Sequence, residues 1–168
     1  MRRRTSPDEV AAEALALLAT AGATLATAES LTGGRLAAAV TSVPGASASY
    51  LGGVVSYATE RKEALLGVPV ALVEQYCVVS GECARAMAEG CRAVTGASYA
   101  VATTGVAGPD LQEGKPVGTV FVGVAGPDGV TAVSMELVGD RRQIQERACR
   151  EALAALCAIL RREQPPLG

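Results

Sequence analysis

Ser30 and Lys62 are the side chains of this 168-residue chain whose types and setting suit nucleophilic chemistry. The chain contains no histidine, which removes the commonest general base and the commonest metal ligand together. Acid–base work must then fall to Lys, Tyr, Cys or carboxylates. A lysine that burial has stripped of proton affinity can activate a serine near neutral pH. Lys62 is the candidate, because the turn after a strand could bring its long side chain to Ser30. Two plainer roles compete: Ser30 or Thr32 as a helix cap, and Lys62 as a solvated charge within Thr59-Glu60-Arg61-Lys62-Glu63.

The surroundings of Ser30 favour a reactive turn. Ala23 to Ala28 reads as a short buried strand and Arg35 to Val40 as a helix, so Thr27-Ala28-Glu29-Ser30-Leu31-Thr32-Gly33-Gly34 is a strand-to-helix turn. Gly33 and Gly34 remove side chains where the backbone bends, which would let amides near Thr32 to Gly34 face an oxyanion or a phosphate. Tyr57 closes a second strand pattern, Gly53 to Ala58, and is either a buried aromatic or a donor that polarises the serine–lysine pair. Thr104-Gly105 ends a third strand, Ser98 to Thr103, and opens a glycine-bearing loop. Arg141 sits in the first turn of the last helix, where the helix dipole opposes a cation, so an anion is expected near it: a phosphate, or Asp140 itself.

These residues need a scaffold. The pattern predicts a first helix over Pro7 to Ala21, started by Ser6-Pro7-Asp8-Glu9 and ended by Gly22. A helix over Thr59 to Leu66 is closed by Gly67, and another runs from Ser80 to about Val94 with Ala84, Met87, Cys91 and Val94 inward. Strands over Val117 to Ala125 and Val130 to Val138 are joined by Gly126-Pro127-Asp128-Gly129, a link short enough to force them antiparallel. The last helix starts at Asp140 with Gln143 completing a capping box, and Ile144, Ala148, Ala152, Leu156 and Ile159 mark its buried stripe. Together these predict an α/β fold, a three-layer α/β/α sandwich on a mixed sheet of about five strands. Ligands in such sheets collect at the carboxyl ends of parallel strands, where Glu29-Ser30, Tyr57 with Lys62, and Thr104-Gly105 all fall.

Composition narrows the function class. A length of 168 residues suits one domain, with residues 1–5 and 163–168 expected to fray. Forty-nine per cent apolar residues and a net charge of −2 exclude a disordered tail and a basic nucleic-acid stripe. No stretch reaches the ~18 unbroken apolar residues that would span a bilayer. Met1-Arg2-Arg3-Arg4 superficially suggests a secretory signal, but Asp8, Glu9 and Glu13 interrupt it. Five cysteines without a Cys-x-x-Cys pair read as buried residues of a reducing cytoplasm, not as a disulfide frame or zinc site.

Ala28-Glu29-Ser30-Leu31-Thr32-Gly33-Gly34, Leu51-Gly52-Gly53-Val54-Val55-Ser56-Tyr57 leading to Lys62, Leu65-Leu66-Gly67-Val68-Pro69, Thr104-Gly105-Val106-Ala107-Gly108-Pro109, Lys115-Pro116-Val117-Gly118-Thr119-Val120 and Gly139-Asp140-Arg141 occur in this order. In that order they resemble the CinA C-terminal-domain family, the nicotinamide-nucleotide amidases, over about Val10 to Leu160. The resemblance implies hydrolysis of the carboxamide of nicotinamide mononucleotide by a serine nucleophile with a lysine partner, Ser30 and Lys62, with Tyr57 nearby. Glu29, Thr32, Gly33, Gly34, Thr104, Gly105 and Arg141 are the expected substrate contacts. No metal or other cofactor is implied, and the partners expected are a small-molecule nucleotide and further copies of the chain, with no nucleic acid or membrane. Many relatives carry an additional N-terminal domain, so a stand-alone, cytoplasmic form is expected. The chain departs from the family pattern at Leu31, often cysteine, at Thr59, commonly asparagine, and over Asp110 to Gly114, usually richer in glycine.

Overall fold

The computed structural model describes residues 5–164, and the expected fraying of residues 1–5 and 163–168 falls largely outside them. Five strands form one mixed sheet in the order β2-β1-β3-β4-β5: β1 Leu25–Glu29, β2 Tyr50–Val55, β3 Tyr99–Gly105, β4 Thr119–Gly126 and β5 Gly129–Glu136. The first three are parallel, and β4 and β5 run antiparallel as the short Pro127-Asp128 link requires. The architecture is the three-layer α/β/α sandwich read from the sequence.

Period-two alternation sorts each central strand between the layers. Leu25 of β1 and Tyr99 and Val101 of β3 join α1 (Pro7–Ala21), α2 (Arg35–Thr41) and α6 (Arg141–Glu163) in one core. Ala26, Ala28, Ala100 and Ala102 pack instead under α3 (Thr59–Leu66) and α5 (Gly81–Thr95) in the other. Small residues let α5 approach closely on both sides, with Gly123 of β4 against Ala84 and Gly90 of α5 against the end of α3.

Helix ends follow their caps. Ser6 and Glu9 form a capping box on α1, Gly22 ends it at φ 63°, and Asp140 with Gln143 forms a second box on α6. Four expectations are corrected. β2 begins at Tyr50 and stops at Val55, before Tyr57; the Ser56 amide makes the last ladder bond, to the Glu29 carbonyl at 2.9 Å, and β1 has ended there with no further partner to offer. A further helix, α4 (Val70–Tyr76), follows Pro69; it has no side-chain cap and buries no residue, so neither sequence signal announces it. Val94 is 62% exposed, although its helical angle falls between those of buried Cys83 and Met87; it is the penultimate residue of α5, at the end of the buried stripe. Ile159 is only partly buried, and Leu153, Leu156 and Leu160 fill the core beside it. No described helix is long and apolar enough to cross a membrane.

Candidate active site

The order of the parallel strands sets the place. The chain leaves β1 for β2 on one side and later returns to β3 on the other, so the carboxyl end of β1 is a switch point at which neighbouring connections diverge. Ser30 is the first residue beyond that end. Its amide donates to the Thr103 carbonyl at 3.0 Å, which continues the β1–β3 ladder by one step and fixes the serine backbone.

The turn after Ser30 is held from several directions. Glu29 is 1% exposed, and its carboxylate accepts from the amides of Gly34 at 3.1 Å, Leu36 at 2.8 Å and Ala37 at 3.1 Å. Gly33 and Gly34 have φ of 56° and 102°, a backbone that residues with a Cβ rarely adopt. Thr32 Oγ1 pairs with Thr103 Oγ1 at 2.8 Å, and Gln145 of α6 donates to the Leu31 carbonyl at 2.8 Å from Nε2. The amide of Gly33 donates to the Ser30 carbonyl at 3.1 Å. Glu29, Thr32, Gly33 and Gly34 were expected at the substrate. Their polar groups are instead committed to the turn, and none of the four lines the cavity. Of the amides expected to face an oxyanion, that of Gly34 goes to the Glu29 carboxylate and that of Gly33 to the Ser30 carbonyl.

Lys62 is buried to 1% exposure, although its neighbours Glu60 and Arg61 are solvated. Its Nζ lies 3.0 Å from Ser30 Oγ, 2.7 Å from the Ser56 carbonyl and 3.3 Å from the Tyr57 carbonyl. An ammonium would spend its three hydrogens on these three oxygens. A neutral amine would give two to the carbonyls and turn its lone pair to the Ser30 hydroxyl. Burial pushes the amine below its ordinary 10.5, and the fields of Cys83, Glu113 and Glu60 push partly back.

Tyr57 reaches Lys62 through its main-chain carbonyl, not its ring. Its side chain is 60% exposed, and its hydroxyl accepts from Arg141 Nη2 at 3.0 Å. The expected polarisation of the serine–lysine pair by the phenol is therefore corrected: β2 ends two residues earlier and leaves the ring at the mouth. Arg141 also donates to the Gly108 carbonyl through Nη1. Asp140 is occupied by the cap, accepting from the Gln143 amide at 2.9 Å, and among the described residues Arg141 forms no ion pair.

A cavity of about 420 Å³ opens onto Ser30 and Lys62 and is bounded by Leu31, Tyr57, Val78, Val79, the segment from Thr104 to Gln112, and Arg141. Thr104 lines it, but its hydroxyl donates to the Val78 carbonyl at 2.8 Å. Gly105 is still in β3, and a Cβ there would come within 2.5 Å of the Thr119 carbonyl oxygen. Packing against β4 accounts for that glycine, so the flexible phosphate loop expected at Thr104-Gly105 is a rigid strand end. Val78, Val79 and Gln145 had no sequence signal of a site role, and Leu31 and Glu113 were marked only as departures from the family pattern. Cys83 and Cys91 do not compete as nucleophiles: burial pushes the Cys83 thiol up to about 11 and the Cys91 thiol to about 12. Among the described residues no group of three or more His, Cys, Asp or Glu side chains is placed to hold a metal ion.

Comparison with known proteins fits this arrangement. The model of the CinA C-terminal domain matches residues 7–160. The chain belongs to the CinA C-terminal domain family. It is 53% identical over 146 residues to a CinA-like protein of Frankia casuarinae and 49% identical over 155 residues to one of Anaeromyxobacter, covering 87% and 92% of this chain. The chain spans about a third of the length of these curated relatives, 34% and 38%. Solved structures of comparable length superimpose throughout. The competence damage-inducible protein A of Klebsiella pneumoniae is 36% identical with a TM-score of 0.92, covering 95% of this chain and all of its own. A competence/damage inducible protein of Agrobacterium tumefaciens is 33% identical with a TM-score of 0.87, covering 95% and 99%.

Proposed function

We propose that the chain is an amidohydrolase that converts nicotinamide mononucleotide to nicotinic acid mononucleotide and ammonia. The observation that carries this reading is Lys62: a buried amine with two carbonyls for its hydrogens and the Ser30 hydroxyl as third partner. That is the arrangement by which a serine is activated without histidine. The substrate rests on the family resemblance and on Arg141, a cation in the cavity wall with donors free for a phosphate.

In this mechanism neutral Lys62 takes the Ser30 proton as Oγ bonds to the carboxamide carbon. The carbonyl oxygen becomes an oxyanion. With Gly33 and Gly34 bonded within the turn, the oxyanion is assigned to the Leu31 amide, which follows the serine in a residue that lines the cavity. Lys62 returns the proton to the departing nitrogen, the carbon–nitrogen bond breaks, and ammonia leaves an ester on Ser30. Water, deprotonated by the same amine, cleaves that ester to the acid and restores the hydroxyl.

The test is ammonia release from nicotinamide mononucleotide by purified protein, followed by mass spectrometry of quenched enzyme. Turnover with an added nicotinoyl mononucleotide mass on Ser30, both lost in Ser30→Ala, is the expected result. Binding without ammonia release would make the chain a nucleotide-binding module, and turnover of another small amide alone would replace the substrate.

A further inference from the structure

Two non-glycine residues among those described have left-handed φ, Cys77 at 67° and Glu113 at 53°. Such backbones persist where surrounding contacts hold them. The two are joined. The Glu113 carboxylate accepts the amides of Val78 at 3.0 Å and Val79 at 2.8 Å, the two residues that follow Cys77. Val78 and Val79 line the cavity, and so does Gly108 to Gln112, the segment that leads directly into Glu113.

Glu113 stands at the tip of a tight hairpin. Gln112 and Lys115 exchange backbone hydrogen bonds of 3.1 and 2.8 Å, with Glu113 and Gly114, at φ 53° and 73°, between them. A two-residue turn with both central φ positive is the type I′ pattern, in which Asn or Asp before Gly is favoured and glutamate is not. Local turn chemistry therefore does not explain Glu113, whereas its reach to the Val78 and Val79 amides does. Its side chain touches neither Ser30 nor Lys62 and does not line the cavity. The residue is exposed, so water competes for the same bonds and their release is cheap.

We propose that the Gln112–Lys115 hairpin is a lid on the cavity and that Glu113 is its latch, a positioning residue that ties the lid to the Val78–Val79 wall while substrate is held. Released, the hairpin swings from the wall and opens a way for a ligand of nucleotide size. The consequence for substrate rests on the proposed amidase reading; the latch itself does not.

Glu113→Asn separates the two roles, because Asn-Gly suits the turn while the shorter side chain loses the amides. Hydrogen exchange by mass spectrometry on full-length protein should show peptides containing Val78 and Val79 exchanging at least tenfold faster in this variant, with β3 and α6 unchanged as internal controls. With nicotinamide mononucleotide, KM should rise about tenfold and kcat stay within about threefold. Glu113→Asp, which keeps the carboxylate, should recover part of both effects. Unchanged exchange at Val78 and Val79 overturns the latch whatever the kinetics. Faster exchange in a protein that hydrolyses no mononucleotide supports the latch and overturns the amidase reading alone. Faster exchange with KM unchanged in an active enzyme overturns the lid's hold on substrate.

Discussion

The carbonyl of Leu66 crosses α5 at Gly90, so closely that a Cβ at Gly90 would lie 1.8 Å from the carbonyl oxygen. Leu66 is the last residue of α3, the helix that carries Lys62. This contact seats the end of α3 on α5, one turn beyond the buried lysine. Gly90→Ala should gain about 1 kcal/mol of helix propensity yet still lose about 1–3 kcal/mol net through overpacking, as read by urea unfolding. Turnover should fall as Lys62 moves with its helix. Gly81→Ala, on the same helix with its nearest neighbour at an ordinary 3.6 Å, is the control and should leave both unchanged.

The buried carboxylate of Glu29 should matter to stability and to the rate, not to substrate affinity. Glu29→Ala leaves three amides of the α2 start without their acceptor, at a cost of about 2–5 kcal/mol. Glu29→Gln keeps an oxygen for some of them and should cost less. Both should lower kcat with KM held within about threefold, since Ser30 is displaced while the cavity wall is not. A raised KM at unchanged stability would instead return Glu29 to the substrate.

Much of this was legible along the chain, and what was not has a physical reason. The ends of α1 follow from Ser6-Pro7 and Gly22, and the turn at Ser30 from an apolar run meeting Gly33-Gly34, because caps and turns are local. The burial of Lys62 was legible only as one of two readings, a base beside Ser30 or a solvated charge. Glu60, Arg61 and Glu63 around it read as a solvated helix, while the close seat of α3 on α5 is made at Gly90, about thirty residues on. Glu29 and Gln145 escaped for the same reason: one bonds forward into α2, the other reaches from α6 to Leu31, and neither contact leaves a pattern in its own neighbourhood. The ordered motifs did mark the right strand ends, but not which of their residues face the cavity.

Lys62 should impose a pH dependence of known sign. Burial lowers its proton affinity below 10.5, against the opposing fields of Cys83 on α5, Glu113 on the hairpin and Glu60 on α3. As a base it works unprotonated, so kcat/KM should fall as pH drops through the folded pKa, with a midpoint below 10.5. Between that pKa and 10.5 the unfolded chain binds more protons than the folded one, so stability rises with pH there and is lost as pH falls. Lys62→Met should abolish turnover while largely keeping substrate affinity. Its urea midpoint should lack that rise when compared with wild type across the same pH window.

Arg141 bears on the phosphate. It spans the mouth from the Tyr57 hydroxyl to the Gly108 carbonyl, and Asp140, its nearest acidic neighbour in sequence, is spent on the Gln143 amide. A guanidinium held by neutral acceptors keeps its charge for a ligand. Arg141→Gln should therefore raise KM for nicotinamide mononucleotide by about tenfold to a hundredfold, the ~1.5–3 kcal/mol of a charge-assisted hydrogen bond, while KM for the dephosphorylated riboside changes little. Tyr57→Phe removes one of the two acceptors that aim the guanidinium, and should show the same preference at smaller size. Equal losses on nucleotide and riboside would show that Arg141 serves only to tie Tyr57 to Gly108. The phosphate would then have to be held by main-chain donors between Val106 and Leu111, the remaining stretch of cavity wall on that side.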